Sequence, residues 1–138
     1  MRRGLLVLAV LLLLPGCGPD ASPEQARRNQ EILDGVADAL RTEPGVSEAT
    51  ASYVDDASNL PKASVRVDCR GCDGPALVDA AVRGVWTSEL TPLHAITVSV
   101  SDLQDVQTDT ATFSVRTDEA ELTEKYGERT VPSAPEEK

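Results

Sequence analysis

Two cysteines three residues apart, Cys69 and Cys72 in the segment VDCRGCDGP, are the side chains of this sequence best suited to chemistry. Two thiols at this spacing can form a disulfide, exchange electrons with other dithiols, or hold a soft metal ion. Cys69 ends a predicted strand, and a helix is predicted to begin near Pro75. The positive end of a helix dipole favours thiolate in cysteines that precede it. The pattern therefore leaves three interpretations open: structural disulfide, redox dithiol and metal site.

We expect the first of these, a structural disulfide between Cys69 and Cys72. Gly71 and Gly74 give the backbone the freedom to close so small a loop. By the chain-entropy relation, a loop this short contributes at most about 2 kcal/mol to the free energy of unfolding. An oxidising compartment, predicted below from the first residues of the chain, favours this interpretation.

The two alternatives rest on the order of the elements around the pair. Strand, CxxC and helix is the order found in thioredoxin-like proteins, although the parallel βαβ pattern around that motif is missing here. The same order, followed by two strands and a helix, is similar to that of heavy-metal-associated domains that carry copper. That resemblance implies Cys69 and Cys72 as ligands and Tyr126-Gly127 as the closing dipeptide. A zinc site would lack nitrogen ligands beyond His94, the only histidine, and we predict no bound metal and no cofactor.

No other segment predicts catalysis. The chain has neither a glycine-rich phosphate loop nor a serine elbow, and His94 lacks a placed nucleophile. Two short acidic clusters, Asp55-Asp56 and Asp102 with Asp105, lack the spacing of a calcium loop, and we attribute them to loop solvation. We therefore predict no catalytic residues and a protein that is not an enzyme.

The third cysteine, Cys17, follows a segment typical of protein export. Met1-Arg2-Arg3 is positively charged, and Leu5 to Leu14 is an uninterrupted apolar run. Such a run is half the length of about 20 residues that a membrane-spanning helix needs, but it is the length of a signal-peptide core. Pro15-Gly16 then breaks the helix before the cysteine.

Leu14-Pro15-Gly16-Cys17 resembles the lipobox of bacterial lipoproteins, including small uncharacterised ones of actinobacteria. The resemblance implies a diacylglyceryl group on the Cys17 thiol, further acylation with a fatty acid such as palmitate, and removal of residues 1–16. Residues 17–22 would then form a lipidated tether on the extracytoplasmic side of the cell membrane. Lipidation of Cys17 also leaves Cys69 and Cys72 as an even pair outside the cell. The alternative is an ordinary secretory signal.

The charge of the chain limits its partners. The formal net charge is −10, from 13 basic and 23 acidic residues. An acidic protein lacks the basic patch that phosphate binding requires, so we predict no nucleic-acid partner. Anionic lipid also repels it, so attachment to a membrane depends on the lipid of Cys17. The remaining prediction is a protein partner or another component of the cell envelope.

Residues 23–127 are predicted to form a single α+β domain, followed by a disordered tail over residues 128–138. Ser22 is expected to cap the first helix, with Pro23 in its first turn and Gln25 completing a capping box. Apolar spacing then gives the order helix, strand, strand, helix, strand, strand, with a short helix from Asp118 to Tyr126 as an optional addition. Because each strand alternates apolar and polar residues, we predict a four-stranded antiparallel sheet with two helices on one face, a two-layer sandwich. The exposed face of that sheet is predicted to carry Ser64, Arg66, Thr97, Ser99, Thr112, Ser114 and Arg116.

Together these features predict a membrane-anchored lipoprotein whose small non-catalytic domain binds a protein or an envelope component. The alternative is a thiol-redox or metal-binding lipoprotein that uses Cys69 and Cys72.

Overall fold

A computed structural model describes residues 22–56 and 58–131 of the chain. Residues 1–21, with the predicted signal segment and Cys17, and residues 132–138 of the predicted tail lie outside the described residues. The elements, in order, are α1 (Pro23–Arg41), β1 (Val46–Asp56), β2 (Asn59–Cys69), α2 (Gly74–Trp86), β3 (Ala95–Asp102), β4 (Gln107–Ser114) and α3 (Val115–Tyr126). The α+β class and the repeated helix-strand-strand order are as the sequence predicts.

The sheet is mixed, and the prediction of a wholly antiparallel sheet is wrong. Its strand order is β1-β2-β3-β4, with antiparallel pairs at both edges and a parallel pair, β2 with β3, in the centre. The cause is α2, which returns the chain to the end of the sheet where β2 began. A strand that follows such a helical crossover enters the sheet parallel to its predecessor.

The described residues form three helices, where the sequence analysis placed two in the helical layer. α1 packs mainly on β1, α2 on β3, and α3 contacts β4 and α2. α3 begins at Val115, earlier than the optional helix predicted from Asp118, so β4 ends at Ser114. Arg116 therefore lies in α3, and its predicted place on the exposed face of the sheet is wrong.

One face of the sheet and the helices above it enclose the core. The inward residues of the two central strands are fully buried and small or branched, which matches the scarcity of aromatic residues in the sequence. Trp86 is the largest buried side chain. Its indole N–H donates to the Gly127 carbonyl at 2.8 Å, and the Arg129 guanidinium lies 5.4 Å from its ring. These contacts hold residues 127–129, which follow α3, against the core.

Different parts of the chain lie at the two ends of the sheet. α1 starts beside the connection before β3, where the buried Asn29 side chain donates to the Thr91 carbonyl at 2.9 Å. α1 ends at the other end of the sheet, where Val46 pairs with Cys69. We call the first of these the helix-start end and the second the disulfide end. The Ser22 hydroxyl caps α1 as predicted, accepting from the Gln25 N–H, whereas the Gln25 side chain bonds Asn29 and Thr91.

Candidate functional site: the disulfide end

The predicted disulfide between Cys69 and Cys72 is present, with the two Cα atoms 5.9 Å apart. Cys69 is fully buried as the last residue of β2, whereas Cys72 is half-buried in the loop that follows. Asp73 caps α2 through its carboxylate, which accepts from the Ala76 N–H at 3.1 Å. The bond therefore closes the short connection between the strand and the helix.

Asp102 lies against this loop and joins it to the turn between β3 and β4. One carboxylate oxygen accepts hydrogen bonds from the backbone N–H groups of Gln104 at 2.9 Å, Gly71 at 3.1 Å and Asp105 at 3.4 Å. These bonds, with that from Gln104 foremost, hold the pKa of the Asp102 carboxyl below its usual value despite burial. Asp102 is therefore an ionised clamp between two loops.

The sequence analysis assigned Asp102 to loop solvation, and the structure corrects this, because its side chain is buried. A signal for burial was present in the sequence. Asp102 continues the alternation of Ile96, Val98 and Val100, all of which point into the core. An acid at an inward position of a strand requires hydrogen-bond donors, and the two adjoining loops provide them.

The same geometry brings together three groups that can ligate metals. The Sγ atoms of Cys69 and Cys72 and a carboxylate oxygen of Asp102 all lie within 4.8 Å of one another. In the disulfide form the two sulfurs are bonded to each other, and neither is a thiolate, the form that binds metal. Metal binding at this cluster would therefore require prior reduction.

Gly45 and Gly74 allow the loops of this end to pack closely. Gly45 has a φ of +83°, and a Cβ there would lie 2.9 Å from the Arg70 carbonyl oxygen. The Arg70 N–H also donates to the Gly45 carbonyl at 2.9 Å. A Cβ on Gly74 would meet a carboxylate oxygen of Asp109 at 2.0 Å. Gly45 requires glycine because the contact is to backbone and its φ is positive, whereas a side chain at position 74 would require the Asp109 carboxylate to move.

The turn between β3 and β4 exposes two apolar side chains beside the disulfide loop. Leu103 is 49% exposed and Val106 is 91% exposed. Val106 has a φ of +53°, a left-handed conformation that is unfavourable for a β-branched residue. The hydrogen bonds to Asp102 hold the turn between these residues in place. The disulfide end thus presents an apolar tip, formed by Leu103 and Val106.

The remaining candidate positions lie away from this end. His94 directly precedes β3, where its backbone N–H donates to Pro61 and its carbonyl accepts from Val115. On the solvent face of the sheet, Arg66, Thr112 and Ser114 are exposed, and the other three predicted residues in the strands are half-buried: Ser64, Thr97 and Ser99. A groove of about 320 Å³ separates α1 from α2 and is lined mainly by small and apolar residues such as Val36, Ala39 and Gly84.

Comparison with known proteins found no matching family model, no matching curated protein and no matching solved structure. Within the described part of the chain, the helices are too short or too polar to cross a membrane.

Proposed function

We propose that this chain is a lipid-anchored extracytoplasmic lipoprotein whose α+β domain binds a protein or envelope component without catalysing a reaction. The observation that carries the proposal is the segment from Met1 to Cys17, in which a basic start and a ten-residue apolar run lead to Leu-Pro-Gly-Cys. One acyl chain holds a protein reversibly, whereas two or three chains hold it stably.

The position of the first helix supports a short tether. α1 is capped at Ser22, so four residues separate Cys17 from the cap. The helix-start end then lies near the lipid, and the disulfide end lies beyond the 19 residues of α1. At 1.5 Å per residue that helix spans about 28 Å, which is the distance it places between the helix-start end and the disulfide end.

Membrane fractionation of cells that produce the wild type and Cys17→Ser tests the anchor. We expect the wild type in the membrane fraction, and Cys17→Ser either released or retained as the unprocessed precursor. Membrane retention of a Cys17→Ser protein of mature length would contradict the proposal.

A second candidate is a thiol-redox or metal-binding lipoprotein, and one observation favours its metal-binding form: the position of Asp102 beside both sulfur atoms. A carboxylate and a metal ion have opposite effects on the pKa of a neighbouring thiol. A neighbouring carboxylate raises the pKa of a thiol and disfavours the thiolate that exchange requires, whereas a bound cation would lower that pKa.

Redox titration of the purified protein, with zinc and copper quantified in the same sample, separates the two candidates. A structural disulfide should have a potential below about −300 mV, whereas known oxidoreductases lie at about −120 to −270 mV. A potential in the upper range, or stoichiometric metal on the reduced protein, would favour the second candidate.

A further inference from the structure

The two edge strands of the sheet differ in how their outer backbone groups are satisfied. β1 is covered by side chains of α1. The Gln30 amide donates to the Ala51 carbonyl at 2.9 Å and accepts from the Tyr53 N–H at 3.0 Å. Arg41 donates to the Ala49 carbonyl at 2.7 Å, and β1 has register shifts near both of its ends. Covering and irregularity of this kind prevent an edge strand from pairing with another chain.

β4 has no such cover along its middle. The Val115 N–H donates to the His94 carbonyl, which fixes the phase of the β3–β4 ladder. Because bonded and non-bonded pairs alternate in an antiparallel ladder, the backbone groups of Thr108, Thr110 and Thr112 point away from β3. Among the described residues, none hydrogen-bonds to these outward groups. The next outward N–H, that of Ser114, is taken by the Asp118 carboxylate at 2.8 Å.

The open edge lacks most of the features that discourage pairing, and its one charged residue, Asp109, points inward toward Gly74 rather than along the edge. β4 pairs with β3 over all eight residues without a register shift and contains neither proline nor lysine. Its three outward residues are exposed threonines, which are β-branched and suit extended structure. The strand starts directly after Val106, the exposed residue in a left-handed conformation. An apolar tip thus adjoins a pairing-competent edge.

We propose that the β4 edge, over Thr108 to Thr112, docks an extended segment of another protein as a fifth strand, and that this segment carries basic residues. Main-chain hydrogen bonds would give affinity in this mode, and neighbouring side chains would give specificity. The charge of the segment follows from its surroundings. α3, which contacts β4, has four acidic and two basic residues, and Asp105 is exposed at the start of the edge. The whole chain has a net charge of −10. A segment with basic residues complements these negative charges.

A second copy of this chain fits the edge less well. Antiparallel pairing of two β4 strands would place the helix-start ends at opposite ends of the joined sheet, whereas two lipid anchors enter one membrane. It would also bring two chains of like charge together. The first of these arguments rests on the proposed lipid anchor.

Selection from a phage-displayed library of random peptides on the purified full-length protein tests the proposal. Enriched peptides should contain Lys or Arg, bind more weakly at high salt, and shift the amide resonances of Thr108, Thr110 and Thr112. Thr110→Pro removes an outward N–H and should weaken binding by about tenfold or more, whereas Thr110→Val keeps the N–H and should bind like the wild type. Circular dichroism verifies that each variant is folded.

If Thr110→Pro is unfolded, Thr110→Lys replaces it, with Ser52→Lys on the covered edge strand as a control of equal charge. Four results would overturn the proposal: no enriched peptide, resonance shifts confined to the α1–α2 groove, equal loss of binding in Thr110→Val and Thr110→Pro, or a wild-type dimer that Thr110→Pro dissociates. None of these readouts depends on lipid at Cys17, so the anchor and the docking edge fail independently.

Discussion

Val106 is the position where a substitution should stabilise this protein. Its φ of +53° costs a non-glycine residue about 1–2 kcal/mol relative to right-handed backbone. Asparagine tolerates that conformation better, because its short polar side chain bonds the local backbone. Val106 is 91% exposed, so the substitution removes little buried apolar surface. We expect Val106→Asn to raise the free energy of unfolding by about 1 kcal/mol and Tm by about 4 °C.

Thermal and urea unfolding followed by circular dichroism measure this change. Val106→Gly relieves the same backbone strain but gains entropy in the unfolded chain, worth about 0.5–1 kcal/mol, so its stabilisation should be smaller. Val106→Thr keeps the β-branch and should differ from the wild type by less than about 0.5 kcal/mol. If Val106→Asn is no more stable than the wild type, or Val106→Thr gains as much, the argument from backbone conformation is refuted.

Three further predictions concern the disulfide end. The double substitution of Cys69 and Cys72 by serine should lower the free energy of unfolding by no more than about 2 kcal/mol and leave the circular dichroism spectrum unchanged; complete unfolding would contradict the small loop-closure contribution. Gly45→Ala should lower the free energy of unfolding in urea by about 2 kcal/mol, because it combines left-handed backbone with a contact to the Arg70 carbonyl. The control is Gly35→Ala in α1, where nothing lies within 4 Å of the added Cβ, and this change should be neutral or stabilising. Equal effects of the two changes would exclude the steric explanation. Because its pKa is lowered on folding, Asp102 stabilises the fold above the usual aspartate pKa, and this contribution is lost as pH falls through the lowered value. Asp102→Asn should therefore lower the free energy of unfolding at neutral pH and reduce the decline of that free energy toward acid pH. An unchanged decline toward acid pH would show that the hydrogen bonds to Asp102 have no electrostatic component.

Local patterns in the sequence predicted the elements, but strand direction depends on their connections. The alternation of Ala63, Val65 and Val67 shows that one face of β2 is buried, and it is the same for a parallel or antiparallel neighbour. Direction is decided by α2, whose length returns the chain to the start of the sheet. Alternation alone therefore could not distinguish an antiparallel from a mixed sheet.

The candidate site was predictable where its residues are adjacent in sequence. The spacing of Cys69 and Cys72, taken with the predicted oxidising compartment, led to the prediction of their disulfide. Asp102 is 30 residues from Cys72 and reaches it only through the pairing of β2 with β3. The open edge is equally non-local, because it depends on which strand α1 covers. Gln30 and Arg41 carry no sequence signal for contacts with the outer edge of β1.

Mass spectrometry of the N-terminal tryptic peptide from the membrane-extracted protein tests the central claim, the lipid anchor at Cys17, most directly. We expect a peptide that begins at Cys17, ends at Arg27 and carries the added mass of a diacylglyceryl group, with or without a further acyl chain. The same peptide without lipid, or a mature protein that begins at another residue, would contradict the account.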